Sequence, residues 1–308
     1  MAENRVYIID VTNRDGVQTS RLGLAKLEKT LINVYLNQMG VYQSEFGFPF
    51  TKHEINYLKA NLKLAEREVL SPIILSGWCR AVTDDVKKAL ELGIKHTNIS
   101  ISTSQQMVWG KFRGRIIQRP EEGSSRPSII QMMVDALRTA KEGGMETVGI
   151  NAEDASRTDD DYLIEFVRAA KTNGADRVRY CDTLGYDDPF TIYRRIRMLA
   201  EEIELPIELH CHNDLGMAVA CSVAGAKGAL DAGVDAYVNT TVNGMGERAG
   251  NADLISVILA LSKSSGFEAQ RVLDERIDLS VAWKIAKYAE HYIGSRDTKP
   301  CKHRCKTQ

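Results

Sequence analysis

The chain has 308 residues, with 40 Lys+Arg against 41 Asp+Glu and a formal net charge of -1. That balance excludes the broad basic field by which proteins hold nucleic acid or anionic membrane without specificity, and no apolar run approaches the length of a membrane span. Small molecules and other copies of the chain are the expected partners, and the length suits either two ordinary domains or one α/β barrel.

Taken in chain order, short apolar runs at 6–10, 41–46, 72–77, 97–102, 147–151, 177–182, 207–211 and 234–240 each precede a longer amphipathic stretch. Helical patterns cover 84–92, 129–142, 160–173, 189–202 and 216–232, and Gly93, Gly143, Gly174 and Gly233 stand at helix ends. Strands separated by helical crossovers must run parallel, and eight of them predict a closed (β/α)8 TIM barrel, an α/β fold, with an open doubly wound sheet as the alternative. We expect residues 1–275 to form the barrel and 276–308 a short C-terminal helical extension with a basic tail. The stretch Pro120-Glu121-Glu122-Gly123-Ser124-Ser125-Arg126-Pro127 reads as a mobile surface loop within the barrel.

The six cysteines, at 79, 181, 211, 221, 301 and 305, follow no apolar secretory segment, which points to free thiols in a reducing, cytoplasmic setting. Cys301-Lys302-His303-Arg304-Cys305 lacks the second pair that a tetrahedral metal knuckle needs and reads as a frayed tail.

In a barrel of this type chemistry belongs where strands end and βα loops begin, and the polar residues gather there. The loops carry Asp10 to Gln18, Ser44-Glu45, Trp78-Cys79-Arg80, Ser102 to Ser104, Asn151 to Arg157, Cys181-Asp182-Thr183, His210-Cys211-His212-Asn213-Asp214 and Asn243 to Asn251. His210 and His212, at i and i+2 of a strand, point to one side and can hold one divalent ion or be hydrogen-bonded structural histidines. An oxygen donor from the first strand completes such a set: Asp15 lies past the strand end, whereas Asp10 also suits a structural carboxylate in the barrel mouth. This mixed donor set fits Mg, Mn, Co or Zn.

An ion with open positions beside Arg14, Arg80 and Arg157 suits a bidentate 2-oxo acid, whose polarised keto carbon calls for a carbon nucleophile and a base. Glu153 and His96 are the candidate bases. The plainer alternatives are a satisfied core histidine for His96 and a salt bridge with Arg157 for Glu153. The three glycines between Asn243 and Asn251 can turn backbone N–H groups toward a ligand, while the dinucleotide and P-loop patterns are absent.

Six segments together resemble the homocitrate synthase and 2-isopropylmalate synthase family of metal-dependent TIM-barrel acetyl-CoA condensing enzymes: Asn13-Arg14-Asp15-Gly16-Val17-Gln18, Glu45-Phe46-Gly47-Phe48-Pro49, Glu153-Asp154-Ala155-Ser156-Arg157, Asp182-Thr183-Leu184-Gly185, His210 to Gly216, and Gly244 to Asn251. The resemblance implies Asp15, His210 and His212 as metal ligands, with Asn251 as a fourth or supporting one. It implies Arg14 at the 2-oxo acid and its developing alkoxide, and Glu153 in the base machinery. Gln18, Glu45, Arg80, Arg157 and Thr183 would line the substrate site, and Gly244 and Gly246 would approach the thioester arm of the co-substrate acetyl-CoA.

Asn13 and Val17 depart from the leucine and glutamate common in that family. A polar Asn13 beside the substrate favours a dicarboxylic 2-oxo acid, either oxaloacetate giving citrate or 2-oxoglutarate giving homocitrate, and the Re-specific citrate synthase and homocitrate synthase branch is the nearest in motif form. Isopropylmalate or citramalate synthesis, and cleavage by a hydroxymethylglutaryl-CoA-lyase-like enzyme, are the alternatives. The family continues into a helical subdomain that reaches a neighbour's site, of which residues 279–293 read as the beginning, so a homodimer or larger homo-oligomer is expected.

Overall fold

The structure is a computed structural model that describes residues 4–20, 22–113, 125–267 and 270–293. Eight strands, β1 (Val6–Asp10), β2 (Gln43–Gly47), β3 (Ile74–Arg80), β4 (His96–Ser102), β5 (Thr147–Glu153), β6 (Arg177–Asp182), β7 (Ile207–Cys211) and β8 (Ala236–Thr240), pair in sequence order and close into one barrel. Every pairing is parallel, and Val6 aligned with Ala236 joins the first strand to the last.

Ten helices occur among the described residues: α1 (Lys26–Gln38), α2 (Ile55–Glu66), α3 (Thr83–Glu91), α4 (Gln105–Phe112), α5 (Arg126–Glu142), α6 (Asp160–Thr172), α7 (Pro189–Ile203), α8 (Ala218–Asp231), α9 (Leu254–Lys263) and α10 (Ala282–Ile293). Local chemistry sets their starts. Ser104, Asp159, Asp188 and Asp253 accept backbone N–H bonds at the heads of α4, α6, α7 and α9. Gly93, Gly174 and Gly233 take left-handed conformations after α3, α6 and α8, but after α5 that role falls to Gly144, since Gly143 remains right-handed.

The expected eight-unit barrel is present, with bounds shifted by one to three residues at β2, β3, β4, β5 and β8. Pro72 has no N–H for a ladder, and β3 begins at Ile74 and runs on through Trp78, Cys79 and Arg80, which lie within the strand. Arg126 and Pro127, read as loop, open α5, where a first-turn proline loses no helical bond. Residues 120–124 and the tail at 301–305 lie outside the described residues.

The C-terminal segment closes the barrel floor. Val6 donates to Val272 O at 2.8 Å and Asp278 to Met39 O at 2.9 Å, after which α10 lies along α1 with Tyr35 and Tyr288 rings 5.3 Å apart. No helix among the described residues is long and apolar enough to cross a membrane.

Strand alternation divides the molecule into two interiors. Outward residues such as Ile99, Ile150, Val178 and Leu209 meet the helices and form the apolar core. The alternate residues fill the barrel with polar groups: Gln43 and Glu45 from β2, Asn98 from β4, Arg177 and Arg179 from β6, Glu208 from β7 and Asn239 from β8 are all buried. Buried charges persist only when paired. Glu208 accordingly accepts from Arg177 Nε at 2.6 Å, Arg179 Nε at 2.6 Å and Asn239 Nδ2 at 2.7 Å.

Candidate active site

The two histidines extend this inward row of β7. Glu208, His210 and His212 alternate, so the first sits in the barrel interior and the other two at its mouth. His210 Nε2 lies 3.2 Å from His212 Nε2 and 3.1 Å from Asp15 Oδ2, while His212 Nε2 lies 3.8 Å from the same oxygen. Asp15 reaches them from the 3-10 turn Gly16–Gln18 that follows β1.

Electrostatics prepares this cluster for a cation. Burial pushes the Asp15 carboxyl up, but the Arg14 charge and a hydrogen bond from His210 outweigh it and hold it below the usual carboxylate range. Burial, helped by His210, pushes His212 down to about 3, so its imidazole is neutral near pH 7. Two ring nitrogens that share at most one proton, facing an acceptor-only carboxylate, leave lone pairs converging on one point. These donor atoms all lie within 4.8 Å of one another. Asn251 Oδ1 is buried nearby without a hydrogen-bonding partner, its Nδ2 donating to Met245 O at 2.9 Å and its backbone bridged to His212. Two nitrogens, a carboxylate and an orphaned amide oxygen fit a divalent ion of the Mg, Mn, Co or Zn kind.

A cavity of about 410 Å³ opens above the cluster, lined by Arg14, Asp15, Gln18, Glu153, Thr183, His210 and His212 among others. Arg14 Nε donates to Glu45 Oε1 at 2.6 Å, its Nη1 lies 3.5 Å from Asp15 Oδ1, and its guanidinium sits 5.4 Å from the Trp78 ring centroid. Gln18, with its amide nitrogen turned inward, donates to Glu247 Oε1 at 2.9 Å and Asp15 Oδ1 at 3.1 Å. Thr183 Oγ1 accepts from Asp154 N at 2.9 Å, tying the loops after β5 and β6 together. Glu153 ends β5, four strands around the ring from β1, and thus faces Arg14 and Asp15 across the mouth. Its two oxygens accept from Ser102 Oγ at 2.6 Å and Lys111 Nζ at 2.5 Å. The plainer alternative for Glu153, a salt bridge with Arg157, gives way to this Lys111 contact, and Arg157 pairs with Asp154.

Several expected site residues are elsewhere. His96 opens β4, six residues from Ser102 and so about 20 Å down the strand, where its Nδ1 meets Thr147 Oγ1 at 2.9 Å. It belongs to the floor of the barrel and leaves the list of bases. Glu45 is fully buried beneath the cavity and contacts Arg14 from below. Arg80 pairs with Asp85 at 2.7 Å and packs over Phe48 and Phe50, and Arg157 pairs with Asp154 at 2.6 Å; neither lines the cavity.

The glycine amides are also engaged within the protein. Gly244 N donates to Thr241 O at 3.2 Å and Gly246 N to Thr19 Oγ1 at 2.8 Å. Gly246 instead makes room for Asn251, since a Cβ there would fall 2.1 Å from Asn251 Nδ2. Asn13 turns away from the substrate side, donating to Lys29 O at 2.9 Å and Asn33 Oδ1 at 2.8 Å. Its polarity therefore serves a buried amide network and says nothing of the substrate.

Sequence reasoning passed over Ser100, which lines the cavity, and the Arg179–Glu208 pair beneath it, and it placed Trp78 and Asn151 at this edge without giving either a role. The available signal was alternation: polar residues recur at every second position of β4 and β6, and Glu208 precedes His210 by two.

Known proteins are similar to this chain in sequence and in fold. Citrate (Re)-synthase of Dehalococcoides mccartyi (strain CBDB1) is 58% identical over 289 residues, covering 93% of this chain and 68% of that protein. 2-Isopropylmalate synthase 2 of Caldanaerobacter subterraneus subsp. tengcongensis is 42% identical over 256 residues, covering 83% of this chain and 62% of that protein. The chain thus spans about two thirds of the length of these curated relatives. Among solved structures, the HMG-CoA lyase of Bacillus subtilis superposes with a TM-score of 0.73 at 18% identity, covering 94% of each chain, a likeness of fold. The family described as HMGL-like matches residues 5–288, which take in all eight strands of the barrel with its metal-competent mouth, and the chain belongs to it.

Proposed function

We propose that this chain catalyses a metal-dependent, Claisen-type condensation of acetyl-CoA with a 2-oxo dicarboxylic acid, the acyl group becoming alkyl on transfer. Oxaloacetate giving citrate is the leading assignment and 2-oxoglutarate giving homocitrate the next; the 58% identity to a Citrate (Re)-synthase supports that order. The observation that carries the reading is the division of the mouth: Arg14, Asp15, His210 and His212 gather on one side, and Glu153 stands on the strand opposite Arg14 and Asp15.

A divalent ion at Asp15, His210 and His212, with Asn251 supporting, would polarise the keto group of the 2-oxo acid. Arg14, held at Nε by Glu45, has further N–H groups for the substrate carboxylate and for the oxygen that gains charge as the new carbon-carbon bond forms. Glu153, its carboxylate fixed by Ser102 and Lys111, is placed to take the proton from the acetyl methyl. Gln18 and Thr183 flank the same cavity and orient the substrate.

To this reading belong a cytoplasmic setting and a homodimeric or larger assembly, with residues 1–275 as the catalytic barrel and 276–308 as the start of a helical extension. The reducing setting is supported by Cys79, Cys181, Cys211 and Cys221, all free and buried. The deciding experiment supplies acetyl-CoA, divalent metal and a panel of oxaloacetate, 2-oxoglutarate, pyruvate and 2-oxoisovalerate, reading free CoA thiol. Release with oxaloacetate is expected. Silence across the panel together with cleavage of a 3-hydroxyacyl thioester would replace condensation by the lyase reaction.

A further inference from the structure

Arg179 heads the largest side chains that the barrel encloses completely, and it does not touch the cavity. It stands on β6, four strands from β2 in either direction around the ring, so its guanidinium crosses the barrel axis to reach Glu45. Its Nη2 meets Glu45 Oε2 at 2.6 Å and its Nη1 meets Glu45 Oε1 at 3.4 Å, while its Nε donates to Glu208 Oε1 at 2.6 Å. The same Glu45 Oε1 accepts from Arg14 Nε at 2.6 Å. Glu45 therefore carries Arg14 on the cavity side and Arg179 on the inner side. Further in, Glu208 passes the alternation on to Arg177 at 2.6 Å, giving a column of cation, anion, cation, anion, cation along the barrel interior.

We propose that Arg179 is a positioning residue for the 2-oxo acid: by pinning Glu45 from below it sets where the Arg14 guanidinium meets the substrate carboxylate. The assignment rests on the condensing-enzyme reading above. Glu45 has two oxygens and two cationic partners, and each partner restrains the carboxylate that the other uses. A guanidinium suits this place because its fork can serve carboxylates on two strands at once, which a single ammonium cannot do with the same geometry. Removing Arg179 also strands no carboxylate. Arg14–Glu45 and Arg177–Glu208 would remain as two neutral pairs, so what disappears is the restraint across the axis together with one positive charge, while each buried carboxylate keeps a cationic partner.

The test compares the metal-loaded unaltered chain with Arg179→Met, using steady-state kinetics with each substrate varied and calorimetric titration with oxaloacetate. For Arg179→Met the KM and Kd for oxaloacetate should rise roughly 10- to 100-fold, the range expected for a misplaced binding group. The KM for acetyl-CoA and the metal stoichiometry should stay within about threefold. Leu199→Ala, a truncation on α7 in the apolar core outside the polar barrel interior, supplies a control that lowers Tm without shifting the oxaloacetate KM. If Arg179→Met fails to fold, Arg179→Lys keeps the charge, loses the fork and carries the same expectation. An oxaloacetate KM and Kd within about threefold of the unaltered chain, or a rise that Leu199→Ala reproduces, overturns the assignment alone. An unaltered chain that neither binds nor turns over any 2-oxo acid overturns the underlying reading, and the assignment with it.

Discussion

His210 Nε2 and Asp15 Oδ2 lie 3.1 Å apart, a contact between the seventh strand and the turn after the first, which only closure of the barrel can make. With His212 they form a buried donor set whose lone pairs need a cation or a shared proton. Replacing both histidines, His210→Ala with His212→Ala, should abolish stoichiometric divalent metal, measured by mass spectrometry of the dialysed protein, while circular dichroism stays that of a folded barrel. Unchanged metal content would place the ion elsewhere.

Glu153 faces that cluster with both oxygens restrained by Ser102 and Lys111. If it takes the methyl proton, Glu153→Gln keeps shape and loses basicity. We predict a fall in kcat of roughly 10²- to 10⁴-fold with little change in the oxaloacetate KM, read as thiol release. A kcat within about twofold would remove Glu153 from the proton transfer.

Asp10 ends β1 wholly buried, and burial pushes its carboxyl up to about 7 despite the Thr12 N–H that it accepts. Its folded-state value lies above the unfolded one, so protonation favours the folded state. The stabilisation is full below about pH 4 and is lost as pH rises through about 7. Urea titrations should therefore show the unaltered chain losing roughly 2–4 kcal/mol, relative to Asp10→Asn, between pH 5 and pH 8. Parallel pH profiles for the two proteins would contradict this.

Gly250 has φ +95° and a Cβ there would meet Gly244 O at 2.0 Å. Gly250→Ala should cost ~2 kcal/mol or more and displace Asn251, whose N–H bonds that same carbonyl at 3.1 Å. The expected result is a lower urea midpoint together with weaker metal retention; an unchanged midpoint would show that the loop has room to relax.

Much of this was legible in the chain itself. The eight strand-helix units follow from local hydrophobic period, and the His210–His212 spacing declares a shared face because strand geometry alternates. Arg14, Asp15, Gln18, Glu153 and Thr183 lie at strand ends, and all reach one cavity. His96 misled because a residue between two elements can belong to either edge of a barrel, and only the strand's starting point decides which. Asn13 misled for a related reason: adjacency to Arg14 places its backbone near the site, whereas its side chain follows the outward partners Lys29 and Asn33.

The sequence by itself determined the architecture, the edge where chemistry gathers and the residue types able to hold a metal, because periodicity and donor chemistry are local properties. Only the tertiary structure decided that Glu45 supports Arg14 from beneath, that the loop glycines serve Asn251 and Thr19, and that Arg179 ties β6 to β2 through the barrel axis. Those relationships join residues up to 227 positions apart. They depend on barrel closure and register, which bring distant charges into an interior where each must find a partner.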